Sequence, residues 1–173
     1  LTARLNFASH GIQLRKSYYY ETHLVMKKTH LLELKKYFKE KPEISMAFLF
    51  GSRARGSAGS ESDADIAVYF TPRGREFEWE ESYLYPNEGR IWLETERLLG
   101  VNTDLVVLNR APATLADAII REGVPIIIKD RGLYWRFFLL ITLAAEDFRG
   151  LVQDWREIKE RSRSLSEQDR EQI

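Results

Sequence analysis

The sequence predicts an α/β fold: a small mixed β-sheet of about four strands, flanked by helices and followed by a long C-terminal helix. Two observations carry that prediction. Four short apolar runs, at about Ser45–Phe50, Asp63–Phe70, Thr103–Leu108 and Pro125–Lys129, have strand length and sit beside turn residues. Between and after them, apolar residues recur at helical spacing. The helices are expected on one face of the sheet, with a set of acidic residues on the other.

Each element has its own reason. Lys27 to Glu40 reads as a helix, because Leu31, Leu34 and Phe38 fall at i, i+3 and i+7 and Pro42 follows. Its lysines read as a solvated face. The first strand ends abruptly at Gly51-Ser52, and Ser57 to Ser62 forms a loop of small and charged residues. The second strand is broken by Thr71-Pro72-Arg73-Gly74-Arg75. Glu76 to Gly89 is acidic and aromatic and takes no regular assignment. Its Trp79, Tyr83 and Tyr85 are expected to pack against the sheet rather than stack on a base. A helix from about Glu88 to Leu99 presents Ile91, Trp92, Leu98 and Leu99, and Gly100 stops it. After the third strand, Pro112 opens a helix with Leu115, Ile119 and Ile120 as its buried stripe, closed by Gly123. Pro125 at the start of the fourth strand makes that strand an edge.

The last helix begins at about Leu133. Tyr134, Phe138, Ile141, Ala145, Phe148, Val152 and Trp155 form a heptad-like seam, widened by Phe137, Leu140 and Leu151. Part of this surface should cover the sheet, and the rest is apolar enough for a partner or a second copy of the chain. Beyond Ile158 the charged, serine-rich tail is expected to fray.

Composition sets the bounds. A chain of 173 residues suits one domain and can bury about 70% of its unfolded surface. Basic and acidic residues balance at 26 each, which gives no footprint for non-specific nucleic-acid binding and argues against a template-directed polymerase. There is no cysteine, so no disulfide framework and no thiolate metal site. His10, His23 and His30 have no metal-ligand spacing. No apolar run is long enough for a bilayer span. Arg4, Arg15 and Lys16 interrupt any secretory core, so a cytoplasmic protein is expected. Residues 1–25 are irregular and read as an extension or a start-site artefact ahead of a domain beginning near Met26. A genuine accessory arm is the alternative.

The chemistry concentrates between Met46 and Phe70. Asp63 and Asp65 stand one residue apart at the start of a strand and so share a face. That arrangement suits Mg²⁺, which takes hard oxygen ligands from one or two carboxylates plus substrate phosphates. Gly51-Ser52 marks a strand-to-helix turn. Its missing Cβ and unpaired N–H groups would let phosphate approach the backbone. Asp104 opens the third strand and would complete a three-carboxylate site if that strand neighbours the second. Arg53 either reaches a polyphosphate or is structural. Gly51 and Gly56 have P-loop glycine spacing, but Ser57-Ala58 stands where a P-loop has Lys-Ser/Thr, so that motif is excluded.

Gly51-Ser52-Arg53-Ala54-Arg55-Gly56 followed by Ser62-Asp63-Ala64-Asp65-Ile66, with ten residues (53 to 62) between Ser52 and Asp63, resembles the GS-x₁₀-DxD signature of the minimal nucleotidyltransferases (MNT). These are a branch of the DNA polymerase β-like superfamily. Ile66 replaces the usual leucine. The resemblance spans about Lys27 to Asp130. It implies a nucleotidyltransferase fold over residues 26–130, with 131–173 as a C-terminal helix and charged tail. It further implies Mg²⁺-dependent transfer of AMP from ATP to a hydroxyl. Asp63, Asp65 and Asp104 would be the catalytic metal ligands, and Gly51, Ser52 and Arg53 the nucleotide-binding residues. Within the family the chain looks most like the MNT antitoxins of HEPN–MNT toxin–antitoxin pairs. The implied partner is a HEPN ribonuclease toxin, AMPylated on a tyrosine. A homo-oligomer through the C-terminal helix is a further expectation. Two rival readings are a small-molecule nucleotidyltransferase resembling the aminoglycoside-modifying enzymes, and an antitoxin that acts by binding alone.

Overall fold

The computed structural model describes residues 28–59, 62–74, 79 and 82–171. Residues 1–25, and residues 76–78, 80 and 81 of the acidic-aromatic stretch, lie outside the described residues. The chain runs α1 (Lys28–Lys39), β1 (Ile44–Phe50), α2 (Gly51–Arg55), β2 (Ala64–Phe70), α3 (Glu88–Leu99), β3 (Thr103–Val107), α4 (Ala113–Glu122), β4 (Val124–Ile128) and α5 (Arg131–Glu171). The strand order is β3-β2-β1-β4. β1 runs antiparallel to β2 and β4, and β2 runs parallel to β3, so the sheet is mixed and β4 is an edge, as the sequence predicts.

β1 is buried almost throughout because both of its faces are covered. A register shift between Ile44 and Met46 places Ile44 on the same side as Ala47 and Leu49. On that side Ala64, Ile66, Val68 and Phe70 of β2 meet Leu34 and Phe38 of α1, Ile91 and Leu99 of α3, and Tyr85. The Tyr85 ring stacks on Phe70 at 4.1 Å. On the other side Met46, Phe48, Ala67 and Tyr69 meet Ala116, Ile119 and Ile120 of α4 and Leu133, Phe137 and Ile141 of α5. The expectation of helices on one face and acids on the other is therefore corrected. Two helices cover each face, because β1 and β2 are apolar on both sides. The acids occupy one end of the face shared with α4 and α5.

Several packing details differ from the periodicity reading. Trp92 and Leu115 are exposed rather than buried, since Ile91 and Ile119 already occupy the core-facing positions. Trp92 instead donates its indole N–H to the Thr103 carbonyl. The Trp79 indole reaches the Ala111 carbonyl at 3.0 Å, so Trp79 and Tyr85 do pack on the body. α5 does not end near Ile158 but runs to Glu171. Its distal residues are good helix formers, and pairs such as Arg161–Glu157 at i, i+4 support it.

Two buried polar side chains tie the layers together. Asn109 extends the ladder beyond β2: its Oδ1 accepts from the Phe70 N–H at 2.8 Å and its Nδ2 donates to the Phe70 carbonyl at 3.1 Å. Asp117 of α4 accepts from Arg121 (2.7 Å) and, across to α5, from Arg149 (2.6 Å) and Thr142 (3.3 Å). Burial alone would raise the Asp117 pKa, but the arginine hydrogen bonds outweigh it and hold the carboxyl below its usual value. Its stabilisation is complete above the ordinary carboxylate pKa and is lost as pH falls through the depressed folded value. Asp117→Ala should lower stability at pH 7 by about 1–3 kcal/mol in denaturant unfolding, and the difference from wild type should shrink in acid.

Candidate active site

β1 delivers the chain directly into α2, with Phe50 extended at the junction and no side chain capping the first turn. The leading N–H groups of α2 are thus left for an anion rather than closed by a Ser or Asp cap. Gly51 has φ +67, and a Cβ built there would stand 1.9 Å from Asp65 Oδ2. Only glycine satisfies both constraints, so the Asp65 carboxylate lies directly against the start of α2. The cause is strand register, because Phe50 pairs with Asp65. The same register continues outward: Asp65 pairs with Asp104 across the parallel β2–β3 ladder, and Asp63 precedes β2 by one residue. Asp63 and Asp104 are exposed and Asp65 is half-buried.

Electrostatics bind the three acids into one unit. Burial, then the charges of Asp104 and Asp63, push the Asp65 pKa up, and Arg55 and Arg53 pull it back in part. Among the described residues, no set of three His, Cys, Asp or Glu side chains closes around a single point. The acids therefore face one another more loosely than a full protein cage. They still fit Mg²⁺, which takes oxygen donors, keeps several waters and uses one or two carboxylates plus phosphate oxygens. The crowded negative charge at Asp65 is the field a divalent cation would relieve.

Arg53 is held by the loop that precedes β2. It is buried, and its guanidinium donates from Nε to the Ser62 and Asp63 carbonyls at 3.0 and 3.1 Å and from Nη2 to the Ser62 carbonyl. It fastens the end of the loop to α2 and so sets the backbone that carries Asp63. Ser52 is half-buried in the first turn, and its carbonyl receives the Ser57 N–H at 3.0 Å as α2 ends at Gly56. Arg55, by contrast, is exposed, 3.9 Å from Glu122. It borders a cleft of about 240 Å³ lined by Phe50, Gly51, Leu115, Ile119 and Glu122. The sequence reading missed this cleft, because its walls come from α2 and α4, which no local spacing relates.

Asp65→Asn should raise the melting temperature of the metal-free protein at pH 7. The sign follows from the raised pKa: folding favours the protonated form, so ionised Asp65 opposes folding once pH rises above its unfolded value. The two proteins should melt alike at a pH low enough to protonate Asp65. Gly51→Ala should lower stability by about 2 kcal/mol or more, and should do so less in an Asp65→Ala background. Thermal scans across pH, and denaturant curves of the double mutant, check both.

The family model described as polymerase beta, nucleotidyltransferase matches residues 33–132. Among solved structures, a chain of a toxin–antitoxin complex crystallised with AMP-PNP superposes with a TM-score of 0.58 at 17% identity, over 76% of this chain and 97% of that one. A chain of a tri-AMPylated Shewanella oneidensis HEPN toxin in complex with its MNT antitoxin gives 0.57 at 16% identity, over 76% and 97%. At such identities the likeness is one of fold. No curated protein matches the chain in sequence. With more than half of the chain inside the family model, and with the sheet and GS-x₁₀-DxD turn in place, this chain belongs to the polymerase β nucleotidyltransferase family.

Proposed function

We propose that this nucleotidyltransferase moves AMP from Mg²⁺-bound ATP to a tyrosine hydroxyl of a HEPN toxin, and so acts as an antitoxin. The observation that carries the reading is the junction of Gly51 and Asp65: a phosphate-type helix start and a carboxylate group meet at one point, in register with a third acid. The acceptor is proposed from the resemblance to MNT antitoxins, supported in fold by the chains of toxin–antitoxin complexes.

In this mechanism the N–H groups of Gly51 and Ser52 hold the β- and γ-phosphates. Asp63 and Asp65 would hold the metal, with Asp104 on the acceptor side, and Mg²⁺ held there would supply positive charge against the transferring phosphoryl group and the departing pyrophosphate. Asp104 orients the acceptor hydroxyl and takes its proton as the new O–P bond forms and the α–β phosphoanhydride bond breaks. Positioning and charge neutralisation supply the rate. Arg53 acts indirectly, through the backbone of Asp63. The balanced charge fits a protein acceptor rather than nucleic acid. Among the described residues, no helix is long and apolar enough to cross a membrane, in keeping with the cytoplasmic place proposed here. Residues 1–25 are taken as lying outside the catalytic unit.

The test is to mix the chain with the protein encoded beside it as the candidate toxin, plus ATP and Mg²⁺, and to take intact masses. Whole AMP increments on the toxin, absent with Asp63→Asn, are expected. A stable complex with no mass change would replace this reading with neutralisation by binding alone. No complex and no change would point to small hydroxyl compounds as acceptors.

A further inference from the structure

Near its start α5 is apolar on nearly every side: from Leu133 to Ala145 the only charged residue is Arg136. Leu133, Phe137, Ile141 and Ala145 are buried against the body. On the opposite side Trp135, Leu139 and Leu143 stand at i, i+4 and i+8 and are 52%, 61% and 65% exposed. A helix apolar all round is an interior helix, so this outer ridge calls for a cover.

Charge of opposite sign flanks these three residues, and exposed apolar residues resume beyond it at Phe148, Leu151 and Trp155. Arg136 lies at the N-terminal end of the ridge, and Glu146 and Asp147 at its C-terminal end, all exposed. We infer that the cover is α5 of a second copy, packed antiparallel about a twofold axis near Ile141. That operation sets Leu139 against Leu143 of the second copy and Arg136 against Glu146 of the second copy, each contact occurring twice. It also brings Gly132 opposite Gly150 of the second copy. A Cβ at Gly150 would meet nothing within 4 Å, whereas one at Gly132 would stand 3.4 Å from Arg136 Nη1, so Arg136 lies over that end of the contact. A parallel pairing would instead bring like charges together. Glu146 already meets Arg149 of its own helix at 3.0 Å and lies 4.0 Å from Arg121 of α4, but its side chain is 62% exposed and open to a further cation. The inference stands on this face alone and is independent of the reaction.

The experiment is sedimentation of the full chain at micromolar concentration. A dimer is expected. Leu139→Glu, at an exposed position, should weaken it at least thirtyfold, roughly the effect of losing a central interface residue, with the melting curve retained. Arg136→Glu should weaken the dimer, and adding Glu146→Arg should restore it. A monomeric wild type, a dimer indifferent to Leu139→Glu, or a charge swap that fails to restore pairing would overturn the inference. So would a chain that is monomeric alone and uses Leu139 only to bind a different protein.

Discussion

The structure depends on the contact between the Asp65 carboxylate and the backbone of Gly51. It is a consequence of strand register rather than of local sequence. β1 and β2 pair so that Phe50 faces Asp65, and the glycine that follows Phe50 must turn with positive φ beneath that carboxylate. Any side chain at position 51 would strike it. The helix start and the acids are therefore parts of one construction, and a one-residue slip of β2 would turn Asp65 into the opposite face. The apolar packing of Ala64, Ile66 and Val68 under α1 and α3 resists that slip. Core and site are in this sense a single constraint.

That constraint has an electrostatic cost. Asp65, half-buried and held near Asp104 and Asp63, opposes folding while it remains ionised. The arginines of α2 share the compensation. Arg55 acts through charge alone, and Arg53 through charge and its hold on the loop carbonyls. The remainder of the balance falls to the large apolar core on both faces of the sheet. α5 enters that core with its inner face and leaves its outer face bare.

Much of the fold was legible because its elements are locally marked. Gly100, Pro112 and Gly123 bound their helices where the residues suggest, and the four strands fall within a residue or so of their apolar runs. The acids were legible through spacing, and the neighbourhood of Asp104 through the expectation that β3 lies beside β2. What escaped the sequence was long-range. Nothing local says that α4 and α5 return to the acid face, because that depends on the path from β3 across to β4. Trp92 and Leu115 carry apolar periodicity yet stay exposed, since periodicity gives a helix face but not how much of it is used. Arg53 reads as a cation beside a phosphate cradle. Its burial against the Ser62 and Asp63 carbonyls is a contact across the fold, which sequence spacing cannot supply.

The central claim is that Gly51 and the three acids form one metal-dependent nucleotide site. Calorimetric titration of ATP into the protein, with and without Mg²⁺, tests it most directly. The account predicts binding that requires Mg²⁺ and is lost in Asp65→Asn. ATP that failed to bind wild type, or bound equally well without Mg²⁺ or without the Asp65 charge, would contradict it.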